Sequence, residues 1–372
     1  MFPHFPRHSM SNTSPALVNQ LILGDNLEIM KRLESESVDL IYLDPPFFSN
    51  KNYEVIWGDE GEIRSFKDRW AGGIDHYIGW LKERVEEMYR LLKKTGSFFL
   101  HCDWHANAYI RVEILDKIFG EKNFRNEIIW KRKNSVGQSN MKSSQFGYNT
   151  DSIYFYTKTK RNIFNTVFTE SNPEYIKQFF IHKDPDGRIY RLATLTSPSP
   201  RPNLIYEYKG HKPPAKGWAI SLEKMIEWDN IGKIYIPEDT SKRIQRKIYL
   251  DEVQGQLVQT LWDDIDVISP SAKERIGYPT QKPEALLERI IQCASNEGDV
   301  ILDPFMGDGT TMAVAEKLNR KWIGIDQSPV AVKVTAQRLQ KQNSLFTTEA
   351  TKSTKSGLRT PNITRNVVTC QS

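Results

Sequence analysis

Two short apolar runs in this chain end in the same way. "VDLIYLDPPF" and "DVILDPFMGDGTT" each carry Val, Ile and Leu into an aspartate, Asp44 in the first, where only Asp39 interrupts the apolar residues, and Asp303 in the second, with proline next. A strand with one wet face alternates polar and apolar residues. A run that stays apolar fits a parallel strand covered by helices on both sides. The same runs leave an acid at each strand tip. After Asp44, Pro45 and Pro46 hold φ fixed, and Phe47 and Phe48 add aromatic faces. Such a stretch is either a plain turn or a pocket that holds a flat polar ring beside a carboxylate.

The surrounding periodicity agrees with an α/β sheet. Asn19–Gly24 reads as a strand, followed by a helix in "DNLEIMKRLES" whose Leu27, Met30 and Leu33 share a face. Asp25 or Asn26 can cap it. A helix over about residues 74–93 aligns Tyr77, Leu81, Val85, Met88 and Leu92, with Lys93, Lys94 and Gly96 as its stop. Strand, helix and two further strands continue to Lys158. The pattern resumes with helix "PEALLERIIQCA", strand "DVILDP", helix "TTMAVAEKLN", strand "RKWIGID" and helix "SPVAVKVTAQRLQKQ". Alternation of this kind predicts a mainly parallel sheet between helical layers. Residues 159–270 break it with Pro, Lys and aromatic residues of weak periodicity, as a small inserted module of antiparallel strands would. The expected organisation is a flexible N-terminus (1–18), one half of the sheet domain (19–158), the inserted module (159–270), the second half (271–342) and a Ser/Thr/Lys-rich disordered tail (343–372).

Composition narrows the setting. With 372 residues, 39% of them hydrophobic, the chain can build one large core and a smaller module. No apolar run approaches the roughly 20 residues of a membrane span. The opening residues lack a secretory apolar run, and Cys102, Cys293 and Cys370 are too few and scattered for a disulfide framework. A cytoplasmic protein is expected. The net charge of +5 is small, but between Lys122 and Arg161 nine Lys/Arg face only Glu127 and Asp151. That local excess suits a polyanion.

The second apolar run leads into a loop and a helix start. Gly307 and Gly309 allow close backbone approach, and Thr310 opens the helix. A second strand ends at Asp326, where an acid suits ribose hydroxyls. Neither GxGxxG nor GxxxxGK[ST] occurs, and Asp303 and Asp308 would repel a pyrophosphate. They favour a cationic nucleoside. S-adenosylmethionine, with a sulfonium and an ammonium, fits.

Taken together, the motifs resemble a known family. "LDPPF" at Leu43–Phe47 is similar to the catalytic motif of amino-group DNA methyltransferases. "DPFMGDGT" at Asp303–Thr310 resembles their S-adenosylmethionine loop, and "TQKPEALLERII" at Thr280–Ile291 the helix motif before it. The order, catalytic motif first and cofactor motif last, resembles the permuted β subgroup that modifies adenine N6 or cytosine N4. The resemblance implies a Rossmann-like methyltransferase sheet with helices on both faces and a target-recognition module inserted in it. Asp44, Pro45, Pro46 and Phe47 would then be catalytic. Asp303, Phe305, Gly307, Asp308, Gly309, Thr310, Asp326 and Lys282 would bind the cofactor, and Asp25 would face its adenine. Asp25 reads equally well as a plain helix cap.

That chemistry needs such residues. An exocyclic amine is a poor nucleophile because its lone pair is delocalised into the ring. Acceptors from Asp44 and the Pro45 carbonyl can localise it, and Phe47 can stack on a base swung out of a duplex. Phe48 either lines the pocket or packs in the core. Phosphate contact is expected of Lys131, Arg132 and Lys133, and base contact of Asn134, Ser135 and Gln138. In the inserted module Arg243, Arg246 and Lys247 are candidates for DNA. "HCDWH" at 101–105 holds four potential ligands, yet it lies at a strand end of a family that uses no catalytic metal, so none is expected. Asp44, rather than Ser, favours adenine N6; cytosine N4 stays the alternative, as do a DNA-binding subunit without catalysis and an RNA or protein methyltransferase. Double-stranded DNA is the expected partner. A homodimer and a cognate restriction endonuclease follow from the resemblance alone.

Overall fold

The alternation of strand and helix is realised in a single nine-stranded sheet. The computed structural model describes residues 18–48, 72–132, 146–278, 280–353 and 367–369. The first strands and helices are β1 (Gln20–Leu23), α1 (Asn26–Arg32), β2 (Val38–Leu43), α2 (Gly73–Leu91) and β3 (Leu92–Cys102). A broken helix, α3, follows as Asn107–Tyr109, a π-helical stretch Ile110–Leu115, and Asp116–Ile118. β4 (Phe124–Lys131) and β5 (Thr150–Thr157) close this half. The other half holds β12 (Leu261–Trp262), α6 (Glu284–Ala294), β13 (Val300–Asp303), α7 (Thr310–Lys317), β14 (Lys321–Asp326), α8 (Pro329–Ser353) and β15 (Val367–Thr369). The sheet order is β12-β4-β5-β3-β2-β13-β14-β1-β15.

The centre of this sheet is parallel from β3 through β2, β13 and β14 to β1. Every residue of β2 is buried, which is what an apolar run interrupted only by Asp39 requires. Asp39 is no exception. Its Oδ2 accepts the Val300 N–H at 2.9 Å and the Lys93 ammonium at 2.7 Å, so one buried carboxylate joins the starts of β2, β3 and β13. β5 runs antiparallel to both β3 and β4.

Two boundaries differ from expectation. α2 buries Tyr77, Leu81, Val85 and Met88, all 0% exposed, but ends at Leu91 rather than at about residue 93. Leu92 turns to φ −63°, ψ 136° and pairs with Val38, so its burial is met by the sheet instead of the helix. Lys93 then serves Asp39. The tail expected to be disordered from 343 also differs. α8 continues to Ser353, and Val367–Thr369 pairs in parallel with β1. Extending an existing helix adds hydrogen bonds without a new nucleus. β1 is an edge whose free backbone groups accept a β-branched strand.

Residues 168–258 form a second compact unit. It contains β6 (Phe168–Thr169), α4 (Pro173–Phe179), β7 (His182–Lys183), β8 (Ile189–Thr194), α5 (Leu222–Asn230), β9 (Ile234–Tyr235), β10 (Gln245–Tyr249) and β11 (Gln256–Leu257). An antiparallel sheet, β7-β8-β10-β9, is accompanied by a small core of Leu195, Trp218, Met225, Ile234 and Ile244. Among the described residues no helix is long and apolar enough to cross a membrane.

Candidate active site at the carboxyl ends of the strands

Because β2, β13, β14 and β1 are parallel neighbours, their acids gather at one edge of the sheet. Ile301 pairs with Leu40 and Leu302 with Ile41, which sets Asp303 level with Tyr42 and two residues short of Asp44. Asp303 pairs with Gly324, and Leu23 with Asp326. Asp25 follows β1 by two residues. The two apolar runs that end in Asp44 and Asp303 therefore lie side by side, tips together.

At the first tip, Asp44 is partly buried and forms an ion pair with Lys282, whose side chain is 15% exposed. The ammonium stands 5.5 Å from the centre of the Phe47 ring. Pro45 is buried, while Pro46 and Phe47 are half-buried. Phe48 packs against the core 5.7 Å from Tyr77, so of its two readings the structure favours packing. Lys282 was expected beside the cofactor loop. Its carbonyl does accept the Thr310 hydroxyl at 3.3 Å, but its charge goes to Asp44. Lys282 thus ties the two tips together.

At the second tip, both acids of the loop are engaged by protein groups. Asp303 accepts the Phe305 N–H at 3.0 Å and the Thr311 hydroxyl at 2.5 Å. Burial pushes its carboxyl up to about 7; the two hydrogen bonds oppose this, and the charges of Asp44 and Asp326 add to it. Burial likewise raises Asp308, with the Arg338 guanidinium 2.5 Å away acting against it. Thr310 donates to the same carboxylate at 2.9 Å. Gly307 has φ +51°, and its N–H meets Asp326 Oδ2 at 3.0 Å; Ser328 N–H meets the other oxygen at 2.9 Å. Gly309 has φ +76°, and a Cβ there would lie 2.3 Å from Thr335 Cγ2. The glycine lets α7 close onto α8.

The loop is braced from the other side as well. Asn26 donates to the Pro304 carbonyl at 2.8 Å, and Arg84 Nε donates to Asn26 Oδ1 at 2.8 Å. Arg84 also reaches Asp25 Oδ2 at 3.0 Å and stacks 4.3 Å over Trp80, whose ring is 5.7 Å from Phe305. The other Asp25 oxygen caps α1 through Leu27 N–H at 2.9 Å. The helix-cap reading of Asp25 is therefore realised.

These residues fit a cationic adenosyl ligand. The donor set at this edge is acidic, with Asp44 and Asp326 near enough to shift Asp303. The adjacent cations, Lys282 and Arg338, are already paired with Asp44 and with Asp308 and Glu284. Phe305 offers a half-buried ring, and Asp326 a carboxylate at the tip of the second strand.

The residues expected to meet nucleic acid are scattered. Lys131 ends β4, and Arg132 beside it lies 3.0 Å from Asp151. Lys133, Asn134, Ser135 and Gln138 lie outside the described residues. In the second unit Lys247 is held by Asp184 at 2.7 Å, with both side chains largely covered. Arg246 lies 4.3 Å over Trp228, and Arg243 is exposed, donating to Thr196 at 3.3 Å. In "HCDWH", His105 turns to Asp103 at 2.7 Å, while His101 points into the sheet toward Tyr42 and Asp151. Trp104 is stacked by Tyr148 at 4.2 Å. Sequence reasoning missed Arg84, Thr311 and Arg338; the one signal for Arg338 was a cation on the apolar face of α8.

The chain is similar in sequence to known proteins. A model of the N6/N4 type described as DNA methylase matches residues 38–337. The type II methyltransferase M.EcaI of Enterobacter cloacae is 29% identical over 88% of this chain and 70% of its own length. The DNA adenine methyltransferase YhdJ of Escherichia coli K12 is 28% identical over 86% of this chain and 82% of its own. The chain spans about half the length of two type III Mod subunits that it also matches. Among solved structures, M1.HpyAVI with SAM is 20% identical, covering 86% of this chain and 98% of that one with a TM-score of 0.43.

Proposed function

Because the chain belongs to the N6/N4 DNA methylase family, we propose that it transfers a methyl group from S-adenosylmethionine to the N6 amine of an adenine swung out of duplex DNA. The observation that carries this reading is the meeting of Asp44 and Asp303 at the tips of adjacent parallel strands, β2 and β13. When bound, S-adenosylmethionine supplies an electrophilic methyl on a sulfonium. Everything else is done by the chain. Asp326 takes the ribose hydroxyls, and Phe305 packs beside the adenosyl ring. The Asp326 carboxylate favours a positive ligand over a phosphate-bearing one.

Phe47 stacks on the extruded base and offsets part of the unstacking cost, a few kcal/mol. Asp44 and the Pro45 carbonyl accept the two N6 hydrogens and draw the amine lone pair back to nitrogen. The prolines hold these acceptors still. The amine meets Asp44 where Lys282 is paired with it, so Lys282 must shift or share the carboxylate as the base enters. Asp44 is then positioned to accept the proton that nitrogen loses after methylation. The residues at 168–258 act as the target-recognition module, and the shared family features extend the proposal to a second copy of the chain and a restriction endonuclease as partners.

The test is nucleoside mass spectrometry of duplex DNA treated with the protein and S-adenosylmethionine. N6-methyladenine is expected from the wild type. Asp44→Ala should yield none, while its affinity for DNA changes less than about threefold. N4-methylcytosine without N6-methyladenine would overturn the choice of base.

A further inference from the structure

A file of buried polar side chains runs beneath Phe47 toward the sheet edge. The Tyr42 hydroxyl, two residues before Asp44, lies 3.1 Å from His101 Nδ1. His101 Nε2 lies 3.1 Å from Asp151 Oδ2, and Asp151 Oδ1 lies 3.0 Å from Arg132 Nε. These residues belong in turn to β2, β3, β5 and the end of β4, four strands in sheet order. Tyr42, His101 and Asp151 are 2%, 0% and 3% exposed. Only Arg132, with 30% of its side chain exposed, reaches solvent.

A carboxylate only accepts, so His101 Nε2 carries its hydrogen toward Asp151, while Nδ1 shares a hydrogen bond with the Tyr42 hydroxyl. Asp151 then faces the guanidinium with its second oxygen. That last contact is ionic rather than a straight hydrogen bond, because neither Arg132 Nε nor Asp151 Oδ1 has a hydrogen-bond partner of good angle. The Arg132 main chain is fixed by its N–H to the Asn149 carbonyl at 2.8 Å. With Nε committed to Asp151, the terminal nitrogens of its planar fork remain, and these suit a phosphate.

The aromatic contacts connect the file to the base platform. The His101 ring lies 5.8 Å from Phe47 at 49° and 5.6 Å from Trp130 at 80°. A core needs no such arrangement: well-packed apolar side chains stabilise as well as a buried ion pair or better. This one begins beside Asp44, passes under Phe47 and ends on a cation within the most basic stretch of the chain.

We propose that Arg132 anchors a backbone phosphate of the strand whose base is extruded, and that His101 and Asp151 are positioning residues that fix this anchor relative to Phe47 and Asp44. The proposal rests on the DNA methylation reading above. It makes base extrusion, rather than cofactor affinity, the step that His101 and Asp151 control. Seating a phosphate on Arg132 loads the same guanidinium that holds Asp151, and Asp151 orients the ring under Phe47.

The experiment places 2-aminopurine at the target adenine, once that position is mapped, and reads its fluorescence on binding to the full chain. Wild type should brighten the probe. Asp151→Asn and His101→Gln should lose most of that rise and about tenfold in kcat, with KM for S-adenosylmethionine within twofold. Arg132→Ala should also reduce the slope of log affinity against log salt by about 1, whereas Arg132→Lys and Asp151→Asn keep the slope and still lose extrusion. Tyr42→Phe removes a single hydroxyl and serves if His101→Gln does not fold; it should dim the probe with an unchanged Tm. Full extrusion and kcat in Asp151→Asn and Tyr42→Phe would overturn the proposal, as would an unchanged salt slope in Arg132→Ala. A wild-type protein that methylates no DNA would instead remove the functional reading itself.

Discussion

Single residues carry two kinds of work at this edge of the sheet, and Asp303 illustrates the distinction. Its carboxyl is buried, accepts from Thr311 and Phe305, and titrates near 7 instead of near its usual 3.8. The folded chain therefore holds a proton that the unfolded chain releases. Stability falls as pH rises from about 4 to about 7, through this group, and is flat above. Asp303→Asn should flatten that fall, measured as urea midpoints across the range; an unchanged slope would remove Asp303 as its source. Asp44, Asp303 and Asp326 were legible because each sits at the end of its own strand motif, with the signal in contiguous residues. Arg338, Arg84 and the His101–Asp151 pair were not. Their partners lie tens of residues away, and nothing local distinguishes a buried, paired cation from a solvated one.

Elements set how closely those residues approach. α7 starts at Thr310 because Gly309, at φ +76°, turns the chain onto it, and the absent Cβ leaves room for Thr335 of α8. Gly309→Ala combines a disfavoured backbone with a 2.3 Å clash. It should cost about 2 kcal/mol or more, read by denaturant unfolding, with weakened binding of S-adenosylmethionine. A fully stable variant would show that α8 can retreat. The glycine-containing loop between strand and helix was legible, but not that one of its glycines serves helix packing. The face of α2 was also legible, since Tyr77, Leu81, Val85 and Met88 recur at helical spacing. Its end was not. Leu92 is apolar in either element, and the competition was decided by Val38 on a neighbouring strand. β15 was missed because three β-branched or hydroxylated residues in a polar tail carry no signal until β1 offers an edge.

At the scale of the whole molecule, the permuted order of motifs becomes a spatial order. Residues 44 and 303 are far apart in the chain and adjacent in the sheet because β13 inserts between β2 and β14. The α/β class and its parallel centre could be read from the apolar runs. The antiparallel return of β5 could not, since strand direction depends on connections that periodicity does not encode. Residues 168–258 fold around their own small core; the lack of periodicity there reflected short strands rather than missing structure. The most direct test of the central claim is a crystal structure of the protein with a non-reactive S-adenosylmethionine analogue and duplex DNA. One adenine should stand outside the duplex, its ring on Phe47, its N6 in hydrogen-bond reach of Asp44 and the Pro45 carbonyl, and the adenosyl group over Asp303–Thr310. A target base lodged elsewhere, or an analogue bound away from that loop, would contradict it.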